Sequence, residues 1–120
     1  MSSSYIPYTN INQLEEFSMI AGTEFTLEFN VFEEDGVNPL DLGGATITWV
    51  LCPYGQPDYN VLQKTATITG TNTFEVLIGG DDTEELSGKY IQQPVIVSFT
   101  NQKFRPAQGA ILIQPLIPLN

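Results

Sequence analysis

The side chains with the most chemistry to offer are carboxylates. Asp81, Asp82, Glu84 and Glu85 place four of them within five positions, directly ahead of Leu86-Ser-Gly-Lys-Tyr90. Such a cluster presents the hard oxygen ligands that calcium takes. A calcium loop, however, alternates its acids around a central glycine and closes on a glutamate, and that spacing is missing here. The cluster therefore reads as a solvated corner that delivers a strand to its sheet. Paired carboxylates for glycoside hydrolysis would have to come from Glu28, Asp58 or Glu75. The sequence places no two of them across one cleft, and outward glutamates on strands are ordinarily solvated. The chain has no histidine and a single cysteine, Cys52. Ser-His-Asp and Cys-His catalysis, histidine-ligated zinc, cysteine-cluster metal sites and an internal disulfide are excluded within one chain. No catalytic residue, cofactor or metal is expected. Cys52 has no basic neighbour in sequence and reads as a packed, unreactive thiol. One aromatic loop remains, Tyr54-Gly-Gln-Pro-Asp-Tyr59. Tyr54 and Tyr59 are candidates for stacking on a sugar ring. The plainer reading is a proline-rich connector that packs Tyr54 on the end of the fold.

The elements that must position these residues are strands. From Glu24 onward apolar and polar residues alternate, with Phe25, Leu27, Phe29 and Val31 on one face and Thr26, Glu28 and Asn30 on the other. Glu33 to Gly36 and the Asn38-Pro39 to Gly43-Gly44 stretch then break the run with turn residues. A second strand over 45–52 points Ala45, Ile47, Trp49 and Leu51 inward, with Trp49 at the centre of the core and Cys52 on the opposite face. A third run over 61–69 carries Leu62, Ala66 and Ile68. It is followed by a hairpin partner over 73–78 with Phe74, Val76 and Ile78 inward and Glu75 opposed. Runs over 89–99 and 103–113 complete the pattern, and Pro94 and Pro106 predict edge positions, bulges or breaks there. About seven short strands with no long amphipathic helix describe an all-β, immunoglobulin-like antiparallel sandwich, with a small closed barrel as the competing architecture. In such sandwiches a tyrosine at the start of the strand after this corner bonds back to the backbone. Gly88 and Tyr90 supply the ingredients.

Residues 1–23 read as an N-terminal arm ahead of a sandwich over 24–114 and a tail over 115–120. Asn12 is a candidate cap for one helical turn over 13–17. The arm's Tyr5, Ile6, Tyr8, Ile11, Leu14 and Phe17 are too apolar for a free tail, so they are candidate docking residues. Leu116 and Ile117 offer a second such handle at the other end.

At 120 residues, 42% hydrophobic and 15% charged, the chain supports one soluble globular domain and no bilayer-spanning run. Its N-terminus lacks the charge and apolar block of a secretion signal. The formal net charge is −10, with only Lys64, Lys89, Lys103 and Arg105 as cations. That surface repels phosphate backbones, so nucleic acid is not an expected partner, and neither is a membrane; a neutral or basic protein is.

Phe25 to Gly36, then Pro39-Leu-Asp-Leu-Gly-Gly-Ala-Thr-Ile-Thr-Trp49, Pro53-Tyr-Gly55 and Leu86-Ser-Gly-Lys-Tyr90 occur in a distinctive order. That order resembles the immunoglobulin-like domain at the N-terminus of phage baseplate upper proteins and related virion proteins, over about 24–114. The resemblance implies a structural role without a reaction. It implies residence in the virion after synthesis in the host bacterial cytoplasm, and partners that are other virion proteins in a homo- or hetero-oligomer. The chain departs from the pattern in carrying the apolar arm in front and ending soon after the domain. The expectation is therefore a small adaptor or decoration subunit of the tail, baseplate or head surface. A carbohydrate-binding module for host-surface adhesion, built on Tyr54 and Tyr59, is the alternative.

Overall fold

A computed structural model describes residues 3–7, 12–32, 38–56 and 59–117. Ten strands and one short helix follow in chain order: β1 (Ser3–Pro7), β2 (Asn12–Ile20), β3 (Phe25–Phe32), β4 (Thr46–Pro53), β5 (Leu62–Thr65), β6 (Thr67–Ile68), β7 (Thr73–Ile78), α1 (Gly80–Thr83), β8 (Gly88–Val97), β9 (Lys103–Phe104) and β10 (Ala107–Gln114). The first sheet has the order β1-β3-β7-β6 and the second β2-β10-β8-β4-β5, with β9 pairing β8. The two sheets face one another as a sandwich, with the strand order of an immunoglobulin-like domain.

Alternation builds the core as expected. Leu27, Phe29, Val31, Phe74, Val76 and Ile78 from the first sheet meet Ile47, Trp49, Leu51, Ile96, Ile111 and Ile113 from the second, all buried. Phe29 and Phe74 stack with ring centroids 4.8 Å apart, an aromatic pair that adds to the burial of the two rings. Trp49 Nε1 donates to Oε1 of the buried Gln92 at 2.9 Å. The indole N–H is thus satisfied inside the core, where an unpaired donor would be costly. Gln92 follows Tyr90 by two positions on β8, the place at which antibody domains carry the second cysteine of their inter-sheet disulfide. This chain pins the same place with an amide.

The corner at 79–90 is architectural. Tyr90 is buried, its hydroxyl accepts from Ser87 N at 3.2 Å and donates to Ser87 O at 3.0 Å, and Gly88 takes a φ of 111° that favours glycine. The Pro39 to Ala45 motif is structural as well. It closes one end of the sandwich by burying Leu42, whose N–H donates to Thr71 O at 2.8 Å, and Asp41 Oδ1 accepts from Gly43 N at 2.9 Å.

Several expectations are corrected. Residues 13–17 form no helical turn, and the described parts of the segment before residue 24, Ser3–Pro7 and Asn12–Ile20, are paired in the sheets. β2 pairs in parallel with β10 at the edge of the second sheet, and β1 pairs in parallel with β3. The cause of the misreading is a register shift between Gly109 and Ile111. Leu14 opposes Gly109 and Phe17 opposes Ile111, so two residues of β2, Glu15 and Glu16, stand against Ala110 alone and both face outward. A bulge therefore spaces the inward residues Leu14 and Phe17 by three, which imitates helical period. Gly109 permits the approach, because a Cβ there would lie 2.5 Å from Leu14 Cβ.

The run over 61–69 is not one strand. It crosses from the second sheet to the first at Ala66, whose N–H donates to Ile47 O at 2.9 Å, and only β6 pairs with β7. Ile68 is on the core side but at the sheet edge, and it remains 36% exposed. Pro94 occupies the central strand β8 rather than an edge, opposite Trp49. Tyr54 N donates to Lys89 O at 3.0 Å, which sets the phase of the β4–β8 ladder. In that phase Pro94 faces Trp49 as a non-hydrogen-bonded pair, and its nitrogen points to the gap between β9 and β10 where no ladder bond is needed. Pro106 sits in that gap, the break its residue type predicts.

Candidate docking groove

The acidic corner gathers one ion pair. Asp82 Oδ2 lies 2.9 Å from Lys64 Nζ and accepts from Gly79 N at 2.7 Å. The Lys64 hydrogen bond holds its carboxyl below the ordinary aspartate range, helped by the Gly79 N–H and the lysine charge and opposed by partial burial. Thr83, buried on α1, accepts from Gly22 N at 3.0 Å and ties the β2–β3 turn to the helix. Asp81, Glu84 and Glu85 are exposed. Among the described residues, no group of three or more His, Cys, Asp or Glu is arranged to hold a metal ion.

The expected docking residues are divided by the structure. Leu14 is 5% exposed and belongs to the core, which corrects its assignment as a docking residue. Phe17 is half-buried and meets Phe25 edge to face at 6.4 Å between centroids. Tyr5 and Ile6 pair through the backbone with Asn30 and Val31, while Tyr8 and Ile11 lie outside the described residues. Leu116 is exposed at 43% and Ile117 at 85%. Leu116 Cδ1 lies 3.3 Å from where a Cβ on Gly22 would stand. Tyr54 and Tyr59 are both exposed, but only Tyr54 lines the groove described next. Tyr54 carries Lys89 Nζ 4.4 Å from its ring centroid.

An open groove of about 580 Å³ lies on the outer face of the second sheet. Inward alternation of Trp49, Leu51, Tyr90, Gln92 and Ile96 leaves Val50, Cys52, Ile91, Gln93 and Val95 pointing outward, and these form its floor. Gln108 Nε2 donates to Gln93 Oε1 at 2.7 Å across it. Cys52 Sγ makes a weak contact of 3.5 Å to Asn60 Oδ1, and burial pushes the thiol pKa up, away from thiolate reactivity. Tyr54 and Gly55 close one end and Arg105 lies at the other. An outward sheet face normally turns polar toward water, whereas this one is floored by β-branched residues. Alternation alone concealed the groove, because the reading followed the inward residues. The outward Val50, Ile91 and Val95 were the available signal.

An immunoglobulin-like sandwich with an apolar outer sheet face is the class that this architecture defines. Among solved structures the chain is similar to the N-terminal domain of phage TP901-1 ORF48, at a TM-score of 0.68 and 8% identity over 93% of this chain and 96% of that one. The expected resemblance to a phage domain is thus met at the level of fold. CopC from Methylosinus trichosporium OB3b overlaps at a TM-score of 0.39 with 14% identity, over 67% of this chain and 76% of that one, and carries no argument. No family model matches the chain. No curated protein matches its sequence. Among the described residues no helix is long and apolar enough to cross a membrane.

Proposed function

We propose that the chain is a non-enzymatic structural subunit of a bacteriophage particle, an adaptor or decoration protein that joins its neighbours by protein–protein docking. The observation that carries this reading is the fold likeness to a phage protein domain across 93% of the chain. The apolar outer face of the second sheet supplies the surface that such a subunit needs. Its place is the virion, its partners are other virion proteins, and the assembly is an oligomer. The test is to tag the chain in a phage genome that encodes it and to assay density-purified particles by mass spectrometry and immunogold labelling. Stoichiometric presence at one location on the particle is expected. Absence from purified particles while the chain accumulates in infected cells overturns the reading.

A carbohydrate-binding module is the second reading, favoured by the exposed Tyr54 ring beside the amides of Asn60, Gln93 and Gln108 in one groove. It predicts a glycan-array signal that Tyr54→Ala abolishes.

A further inference from the structure

We propose that the groove on the second sheet receives an extended segment of another virion protein, apolar along its middle and carrying a carboxylate that pairs with Arg105. The inference rests on the docking reading and names the chemistry of the docked partner. Three observations converge. First, the floor of Val50, Ile91 and Val95 is apolar where a solvated sheet face would be polar. Second, the groove follows β8. Tyr54 is joined to Lys89 at one end, and Arg105 directly follows β9, whose Phe104 pairs with Ile96, at the other. That span of β8 is about 20 Å long, which suits roughly six extended residues.

Third, charge is complementary. The chain carries −10 overall, yet among the described residues no carboxylate lines the groove and Arg105 forms no salt bridge. The other nearby cation, Lys89, is placed over the Tyr54 ring. An arginine fork standing beside an apolar floor selects a carboxylate by two parallel hydrogen bonds. The polar pair Gln93 and Gln108 bridges the floor and still presents amide groups that can meet a peptide backbone. With Tyr54 the single aromatic ring that lines the groove among the described residues, a sugar platform is less well served than a peptide.

The test selects a displayed library of random peptides, about a dozen residues long, on the full chain and in parallel on Arg105→Glu. Recovered peptides are synthesised and titrated into the isotope-labelled protein, with neutral and uronic oligosaccharides titrated alongside. Expected are peptides that combine Asp or Glu with Val, Ile, Leu or Phe, that shift the amides of Ile91, Gln93, Arg105 and Gln108, and that bind the variant about tenfold more weakly. Arg105 is exposed, so circular dichroism of the variant should match the parent. The inference is overturned if no peptide is enriched, if enriched peptides lack a carboxylate, if shifts map elsewhere, if Arg105→Glu binds equally, or if only an oligosaccharide moves those amides. Incorporation of the tagged chain into particles is scored separately. Particles that contain the chain, with no peptide in the groove, sink this inference and leave the virion reading standing.

Discussion

The outer faces of the two sheets belong to one sandwich and share one core, but they meet solvent differently. On the first sheet, Glu28 and Glu75 stand directly opposite each other across β3 and β7, flanked by Thr26, Asn30 and Thr73 and by the exposed Leu77 opposite Thr26. On the second, the outward positions over the groove are Val50, Cys52, Ile91 and Val95 with the polar Gln93 and Gln108, while Thr46, Thr48, Gln63 and Thr65 make the rest of that face on β4 and β5 polar. Burial inside the sandwich cannot account for this difference, since both sheets send large apolar residues into the same interior. The first face is built to remain wet, and even tolerates a like-charge pair that costs stability. The second has the composition of a surface awaiting cover. Function is therefore to be sought in an outward row that a core-centred reading of the strands passes over.

The contrast should vanish inside the molecule. Truncating either sheet's central aromatic, Phe29→Ala or Trp49→Ala, is expected to cost about 3–5 kcal/mol in urea unfolding, most of a small domain's stability. A much smaller loss for Phe29→Ala would show that the first sheet contributes little to the shared core. Next in size is the polar pin under the second face. Gln92→Met leaves the Trp49 N–H buried without an acceptor and should cost about 1–3 kcal/mol, and pairing it with Trp49→Phe in a double-mutant cycle should recover part of that. Additive losses would mean that the bond holds nothing.

The Lys64–Asp82 pair at the acidic corner should contribute about 1 kcal/mol or less, being partly exposed. Because the folded-state pKa of Asp82 is depressed, its contribution is present at neutral pH. It is lost as pH falls from the ordinary aspartate range through the depressed value. Stability measured against pH should lose that acid-side slope in Lys64→Met. Smaller still are the outer faces themselves. Glu28→Thr removes the like-charge opposition and should stabilise by about 0.2–1 kcal/mol. Val50→Thr on the second face should leave stability within about 0.5 kcal/mol. Loss of partner capture by Val50→Thr at unchanged melting temperature would sharpen the contrast, and no gain from Glu28→Thr would blunt it.

Period two was legible for β3, β4 and β7, since each has one buried face and its inward residues declare themselves by type. Tyr90 and Gly88 were equally readable, as their roles depend on local backbone geometry and a bond three residues away. Leu14 and Phe17 were misread because a bulge against β10 changes the spacing of inward residues, and a bulge is set by the partner strand. The strand switch at Ala66 and the buried position of Pro94 were hidden for the same reason: each depends on which strand lies alongside. Gln92 gave only the weak signal of a polar residue at an inward position.

From its own residues the chain determined an all-β sandwich, a tryptophan-centred core, a tyrosine-pinned corner and an acidic net charge, because these follow from residue type and local period. Tertiary structure alone decided that β1 and β2 belong to the sheets, that Gln92 holds Trp49, and that Tyr54 and Arg105 mark the two ends of one groove. Those features require residues distant in sequence to share a register or a face, and strand pairing sets register through contacts that no single strand contains.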